Sequence, residues 1–370
     1  MKKRIGILSS SRADYSIYRP LLYKLKESGR FDVFLIAFGT HLSQQHGLTV
    51  NAIEQDGFTV DVKLKCLPED GSPAGIAQNM GQVMREFAEI WNTAQYDLVL
   101  CLGDRYEMFS AVAAALPFNI PVAHLYGGET TAGAIDDALR HSITHMSRYH
   151  FTSCEAYKNR VIELTGSDAG VYNAGALSYD NLKHLQLPEK NELSNALGVN
   201  FNRPVILTTF HPETVNYTKN EVYANAVAQA LEQLTGFEVL ITMPNADTMN
   251  EVIRQKFMAL ENRCGHIHTR ENLGTLRYLA AMKHCALMLG NTSSGFVEAS
   301  WFPTPVVNLG QRQKGRILTQ NIVQCDIELH SILNAVETAS NLRFRHWERI
   351  YGNGDSADFI LSKIDEILAN

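Results

Sequence analysis

From His124 to His145 the chain reads HLYGGETTAGAIDDALRHSITH: a Gly-Gly turn with three acids, one arginine and three histidines within 22 residues. Adjacent glycines at 127 and 128 let a ligand approach the backbone closely. Carboxylates and imidazoles crowded beside such a turn suit general acid–base chemistry. Helical spacing places Ile135, Leu139, Ile143 and Met146 in one apolar stripe, read as core. Asp136 and Arg140 then become i,i+4 partners on one flank, with Asp137, His141 and His145 on the next. Helical ion pairs worth about 0.3–0.5 kcal/mol each account for Asp137 and His145. They leave Glu129 and His124 unexplained.

Other chemistry-bearing residues follow short apolar runs. After RIGILSS comes SRADYS, where Asp14 suits either an N-cap or a ligand. Arg12 opposes the helix dipole at that end and is better matched to a phosphate or carboxylate. DLVLCLG delivers Asp104 and Arg105, an adjacent pair whose place after a buried strand favours function over a surface ion pair. VILTTF delivers His211, and VLITMPNAD delivers Asn245 and Asp247. In LMLGNTSSGFVEA a strand runs through Gly290 into Thr292, Ser293 and Ser294 and then a helix. Hydroxyls and amides at such a helix start form a phosphate cradle, and Glu298, about one turn in, could take ribose hydroxyls. NLGQRQKGR adds Arg312 and Arg316. The segment lacks GxxxxGK[ST], and no GxGxxG follows the first strand, which argues against a P-loop and a dinucleotide dehydrogenase. His266 and His268 alternate in a short strand without further ligands, so no metal site is expected.

Apolar runs alternate with longer helical patterns along the chain, as in a parallel sheet covered by helices on both faces. At 370 residues one ordinary core is exceeded, and two domains are expected. The first spans 1–180; the second spans 181–354; a last amphipathic helix, about 355–370, is free to pack on either. Between 173 and 200 the chain turns polar, like a linker with one short helix. Two Rossmann-like α/β lobes facing across a cleft result, with ligands beyond the strands' carboxyl ends.

A net charge of −6 with interspersed signs offers no face to nucleic acid. The basic start has an apolar core of four residues, too short for a signal peptide. No window nears the roughly 20 apolar residues of a membrane span. Six scattered cysteines without a CxxC suit free thiols and a cytoplasmic location.

Taken in order, SRADYS, GDRYE, HLYGGE…IDDALRH, TTFHPET, MPNAD, GNTSSGFVEA and NLGQRQKGR resemble the UDP-N-acetylglucosamine 2-epimerase family, in its hydrolysing branch serving sialic-acid-type sugars. The resemblance implies two domains of glycosyltransferase-B type with a UDP-sugar held between them, no cofactor, and a homodimer or higher homo-oligomer. It implies Arg12 and Ser16 at the nucleotide sugar, Asn245 near uracil, Thr292, Ser293 and Ser294 at the diphosphate, Glu298 at the ribose, and Arg312 lining the cleft. Asp104, Arg105, Asp136, Arg140 and His211 match catalytic and substrate-contacting positions. Some members carry a glutamate where this chain has Tyr126, so Glu129 joins Asp104 and Asp136 as a candidate base. The implied reaction is conversion of UDP-GlcNAc to ManNAc and UDP through 2-acetamidoglucal. The alternative substrate is UDP-2,4-diacetamido-2,4,6-trideoxyglucose, on the legionaminic acid route. A glycosyltransferase and a non-catalytic nucleotide-sugar sensor are the rival classes.

Overall fold

The computed structural model describes residues 2–132, 134–213, 217–244, 250–344 and 347–369. Strands β1 (Lys3–Ser9), β2 (Phe31–Phe38), β3 (Val62–Leu64), β4 (Leu98–Leu102), β5 (Val122–Leu125), β6 (Tyr149–Thr152) and β7 (Val171–Asn173) build one sheet. Its order is β3-β2-β1-β4-β5-β6-β7, parallel throughout. Strands β8 (Val205–Thr209), β9 (Glu238–Thr242), β10 (Ile267–Arg270), β11 (Leu287–Gly290), β12 (Val306–Leu309) and β13 (Ile322–Cys325) build the second. It runs β10-β9-β8-β11-β12-β13, also parallel. Each is a Rossmann-like sheet whose winding reverses beside its first strand, at β1/β4 and at β8/β11. Loops leaving the carboxyl ends of those strands diverge there and open a crevice for ligands.

Helices cover both faces, which is why β4, β5, β8 and β9 are buried at every position. In the first unit Leu8, Phe38, Phe87, Trp91, Val99, Met108 and Ile143 share one core. In the second, Ile206, Val239, Leu289 and Val307 pack on one side of the sheet, and Leu207, Leu240, Met288 and Val306 on the other. Each such side chain contributes about 1.5–3 kcal/mol on burial, so the strand pattern dominates the fold's energetics.

The first compact unit comprises 1–129, 136–183 and 350–370; the second comprises 130–135 and 184–349. The last helix, Ser356–Ala369, lies against the helix Arg12–Ser28. Asp180 fixes its start, accepting from the Ser356 and Ala357 amides at 3.1 and 2.9 Å. Residues 173–200 hold two short helices, Ser178–His184 and Lys190–Leu197, where composition predicts one. Polar side chains hid the first; it buries Tyr179 and Leu182 and is also bonded through Asp180 and Asn181. The helix after the Gly-Gly turn spans Asp136–Met146, and Ile135 stands 44% exposed outside it. Of the expected core stripe, Ile143 is fully buried and Met146 packs against the first unit's core, whereas Ile135 falls in the other unit. Among the described residues no helix is long and apolar enough to cross a membrane.

Candidate active site

In the first unit, the acids of the β4 and β5 loops converge on one buried guanidinium. Arg140, 3% exposed, projects from the helix Asp136–Met146. Its Nη2 donates to Asp104 Oδ2, its Nη1 donates to the Tyr126 carbonyl at 2.9 Å, and the same nitrogen stands 3.6 Å from Glu129 Oε2. Glu129 also accepts from the Ser153 hydroxyl at 2.7 Å. The guanidinium thus also reaches Asp104, 36 residues back, a contact that i,i+4 spacing does not give. Asp136, half-buried, opens the same helix. Asp137 and His141 form the expected helical pair at 3.6 Å.

The backbone is shaped for this. Tyr126 takes φ +63°, a left-handed value costly for a bulky residue, and its carbonyl meets Arg140 while its hydroxyl accepts from the Ser178 amide at 3.2 Å. The ring that stands in the acid's place is therefore buried and pinned. Gly128 is obligatory: at φ +80° a Cβ would come 2.4 Å from the Tyr157 carbonyl.

At the β1/β4 switch point, Ser11 is the N-cap and Asp14 the third helical residue of a capping box. Asp14 accepts from the Ser10 amide and hydroxyl at 2.8 and 2.7 Å. Burial pushes its carboxyl up; the Ser10 bonds and the charge of Arg105 oppose this. Arg105 in turn forks onto buried Glu107 at 3.2 and 3.0 Å. Arg12 is exposed at the helix start, and Ser16 is half-buried with its carbonyl held by Asn181. His41, which the sequence reading passed over, is fully buried between the hydroxyls of Ser9 and Thr49, each at 2.8 Å. Burial lowers its pKa to about 4. Its signal was its place, three residues past the end of β2.

In the second unit the switch point is locked by Asn291, also missed. Its side-chain amide accepts from the His211 amide at 2.7 Å and donates to the His211 carbonyl at 2.8 Å, tying the β8 loop to the β11 loop. Gly290 permits this approach, since a Cβ there would meet the Thr209 carbonyl at 1.9 Å. Gln313 donates to the Asn291 carbonyl at 2.8 Å and accepts from Arg316 Nε at 2.6 Å, so the turn bearing Arg312 and Arg316 joins the same network. Glu213 braces it further, accepting from the Gln311 amide at 3.0 Å.

After Gly290 the chain forms a single turn, Ser293–Gly295, and a four-residue helix that starts at Glu298. The expected helix is short, and Glu298 sits at its start rather than a turn inside it. The Thr292 and Ser294 hydroxyls lie 3.1 Å apart, and Ser294 pairs with the Tyr278 hydroxyl at 2.6 Å. Ser293 is exposed. His266 and His268 bond separately, to the Leu231 carbonyl and to Glu238. Asn245 and Asp247 lie outside the described residues.

Two parallel sheets with polar loops converging at each switch point define a two-domain Rossmann-like α/β protein. The chain belongs to the UDP-N-acetylglucosamine 2-epimerase family, whose model matches residues 23–365. It is 34% identical to GDP/UDP-N,N'-diacetylbacillosamine 2-epimerase (hydrolyzing) of Campylobacter jejuni over 93% of this chain and 89% of the relative. It is 32% identical to polysialic acid biosynthesis protein P7 of Escherichia coli over 92% of this chain and 87% of that one. Its fold matches the crystal structure of UDP-GlcNAc 2-epimerase from Neisseria meningitidis bound to UDP-GlcNAc at a TM-score of 0.82, with 17% identity, covering 98% of this chain and all of the other.

Proposed function

We propose that the protein is a hydrolysing 2-epimerase of a UDP-linked 2-acetamido sugar, and that the sugar is 2,4-diacetamido-2,4,6-trideoxyglucose rather than N-acetylglucosamine. The observation that carries the reaction class is the gathering of Asp104 and Glu129 on the Arg140 guanidinium, within a chain of this family. The sugar follows the Campylobacter relative, 34% identical along nearly the whole chain and named for diacetylbacillosamine.

In this reading a carboxylate of the first unit removes the proton at C2. The C1–O bond breaks, its electron pair leaves with UDP, and a C1=C2 double bond forms. Water then supplies hydroxyl to C1 and a proton to C2 from the opposite face, giving the free 2-epimer. Two opposed proton transfers require two groups, and Asp104, Glu129 and Asp136 are the candidates. Because a proton beside an acetal carbon is weakly acidic, stabilising the departing diphosphate supplies much of the barrier reduction. Thr292, Ser293 and Ser294 hold that diphosphate, with Glu298 at the ribose, Arg12, Ser16 and Arg105 at the sugar nucleotide, and Arg312 and His211 countering its charge.

Purified enzyme given UDP-GlcNAc, UDP-diacetylbacillosamine and its GDP counterpart in parallel tests the substrate. UDP release is expected with kcat/KM at least about tenfold higher for the diacetamido sugar, the scale that pocket contacts to one extra group provide. A preference for UDP-GlcNAc overturns the assignment of the sugar, and a preference for the GDP sugar overturns that of the nucleotide.

A further inference from the structure

Of the three histidines of the opening stretch, His124 alone is completely buried, at the end of β5, and the reaction does not use it. Its Nε2 lies 2.7 Å from the Gly103 carbonyl, which can only accept, so the proton sits on Nε2. Nδ1 is then an acceptor, and the Thr144 hydroxyl donates to it at 3.2 Å. Burial lowers the pKa of the ring to about 3, which keeps this single donor and single acceptor in place.

These two bonds reach two of the three segments that carry a candidate acid, and the ring packs on the third. Gly103 immediately precedes Asp104 and sits at φ +77°, a conformation that a glycine enters and leaves freely unless its carbonyl is held. Thr144 stands one helical turn after Arg140 and two after Asp136, on the helix that opens with that aspartate. Gly127 packs on the ring itself: a Cβ there would lie 3.0 Å from Nδ1 and 3.2 Å from the Thr144 hydroxyl, and Glu129 follows two residues on. Arg140 links Asp104 to the helix from one side; the imidazole links the neighbouring residue to the next turn of that helix, buried beneath.

We infer that His124 is a positioning residue for the epimerisation, fixing the Asp104 loop, the Gly-Gly-Glu129 turn and the Asp136 helix relative to one another. Resting on the proposed reaction, the inference concerns only the first unit, so nucleotide binding by the second provides an independent control. Misplacing a reacting group by about 1 Å costs roughly 10²-fold in rate. His124→Phe keeps a planar ring and removes both bonds; kcat is expected to fall by about that factor, with KM and UDP affinity close to wild type. His124→Gln, whose amide nitrogen restores a donor to Gly103, is expected to recover most of the loss. Thr144→Val is expected to give a milder fall in kcat that Thr144→Ser reverses, which serves even where the phenylalanine variant does not fold. A His124→Phe enzyme with wild-type kcat, a glutamine variant no better than phenylalanine, or a Thr144→Val loss confined to KM would each overturn the role. A wild-type protein that releases no UDP from any acetamido sugar would instead overturn the reaction, which keeps the two failures apart.

Discussion

Arg140→Met is expected to cost about 3–5 kcal/mol of folding stability, because it leaves buried carboxylates without their counter-charge. The guanidinium is 4% exposed at its side chain, Asp104 18% and Glu129 5%, so water replaces little of what is lost. The Tyr126 carbonyl loses its donor as well, and with it the restraint on a left-handed tyrosine. Activity is expected to vanish with the geometry. Arg140→Lys tests charge against shape: an ammonium cannot present two parallel donors to Asp104 and Tyr126, so stability is expected to return only in part. The denaturation midpoint by circular dichroism, with UDP release on the folded protein, measures both. A methionine variant as stable as wild type would mean that the acids are not held as charged partners.

Asp104→Asn and Glu129→Gln are expected to lower kcat about 10²–10⁴-fold each, the contribution of a positioned proton-transfer group, while UDP affinity holds. The amides keep the shape of the carboxylates but cannot take a proton. Glu129→Gln can still accept from Ser153, so its loss reports chemistry rather than packing. Asp104→Asn gives up its charged bond to Arg140 and is expected to lose some stability too. Asp136→Asn completes the set, and the variant that stops exchange of the C2 proton marks the base. Near-normal turnover in both Asp104→Asn and Asp136→Asn would show that proton transfer lies elsewhere.

The fold was largely legible because its signal is local. Runs such as DLVLCLG and VILTTF are apolar at every position only when a sheet is covered on both faces, and residues just past them fall at its functional edge. Asp104, Glu129 and His211 were singled out that way, and Arg140 by its place on the helix that follows. Their partners were not. Helical spacing offered Asp136 to Arg140, yet tertiary packing brings in Asp104, and no periodicity encodes a contact between the β4 loop and a helix 36 residues later. Asn291 was hidden for a related reason, since a side chain that pairs with another segment's backbone leaves no pattern in its own. The helix expected after Ser294 is there but short, since GFVEASW is followed closely by Pro303, which cannot continue a helix. His124, an unexplained histidine in the sequence, acquires a role only when Gly103, Gly127 and Thr144 are seen around it.

The most direct test of the reaction is to incubate the protein with UDP-diacetylbacillosamine in D₂O and follow C2 by proton NMR as UDP is released. Elimination and hydration at Asp104, Glu129 and Asp136 predict a free sugar of inverted configuration carrying deuterium at C2, formed without an acceptor. Release of a sugar that retains its C2 proton and configuration, or no UDP release until an acceptor is supplied, would contradict it.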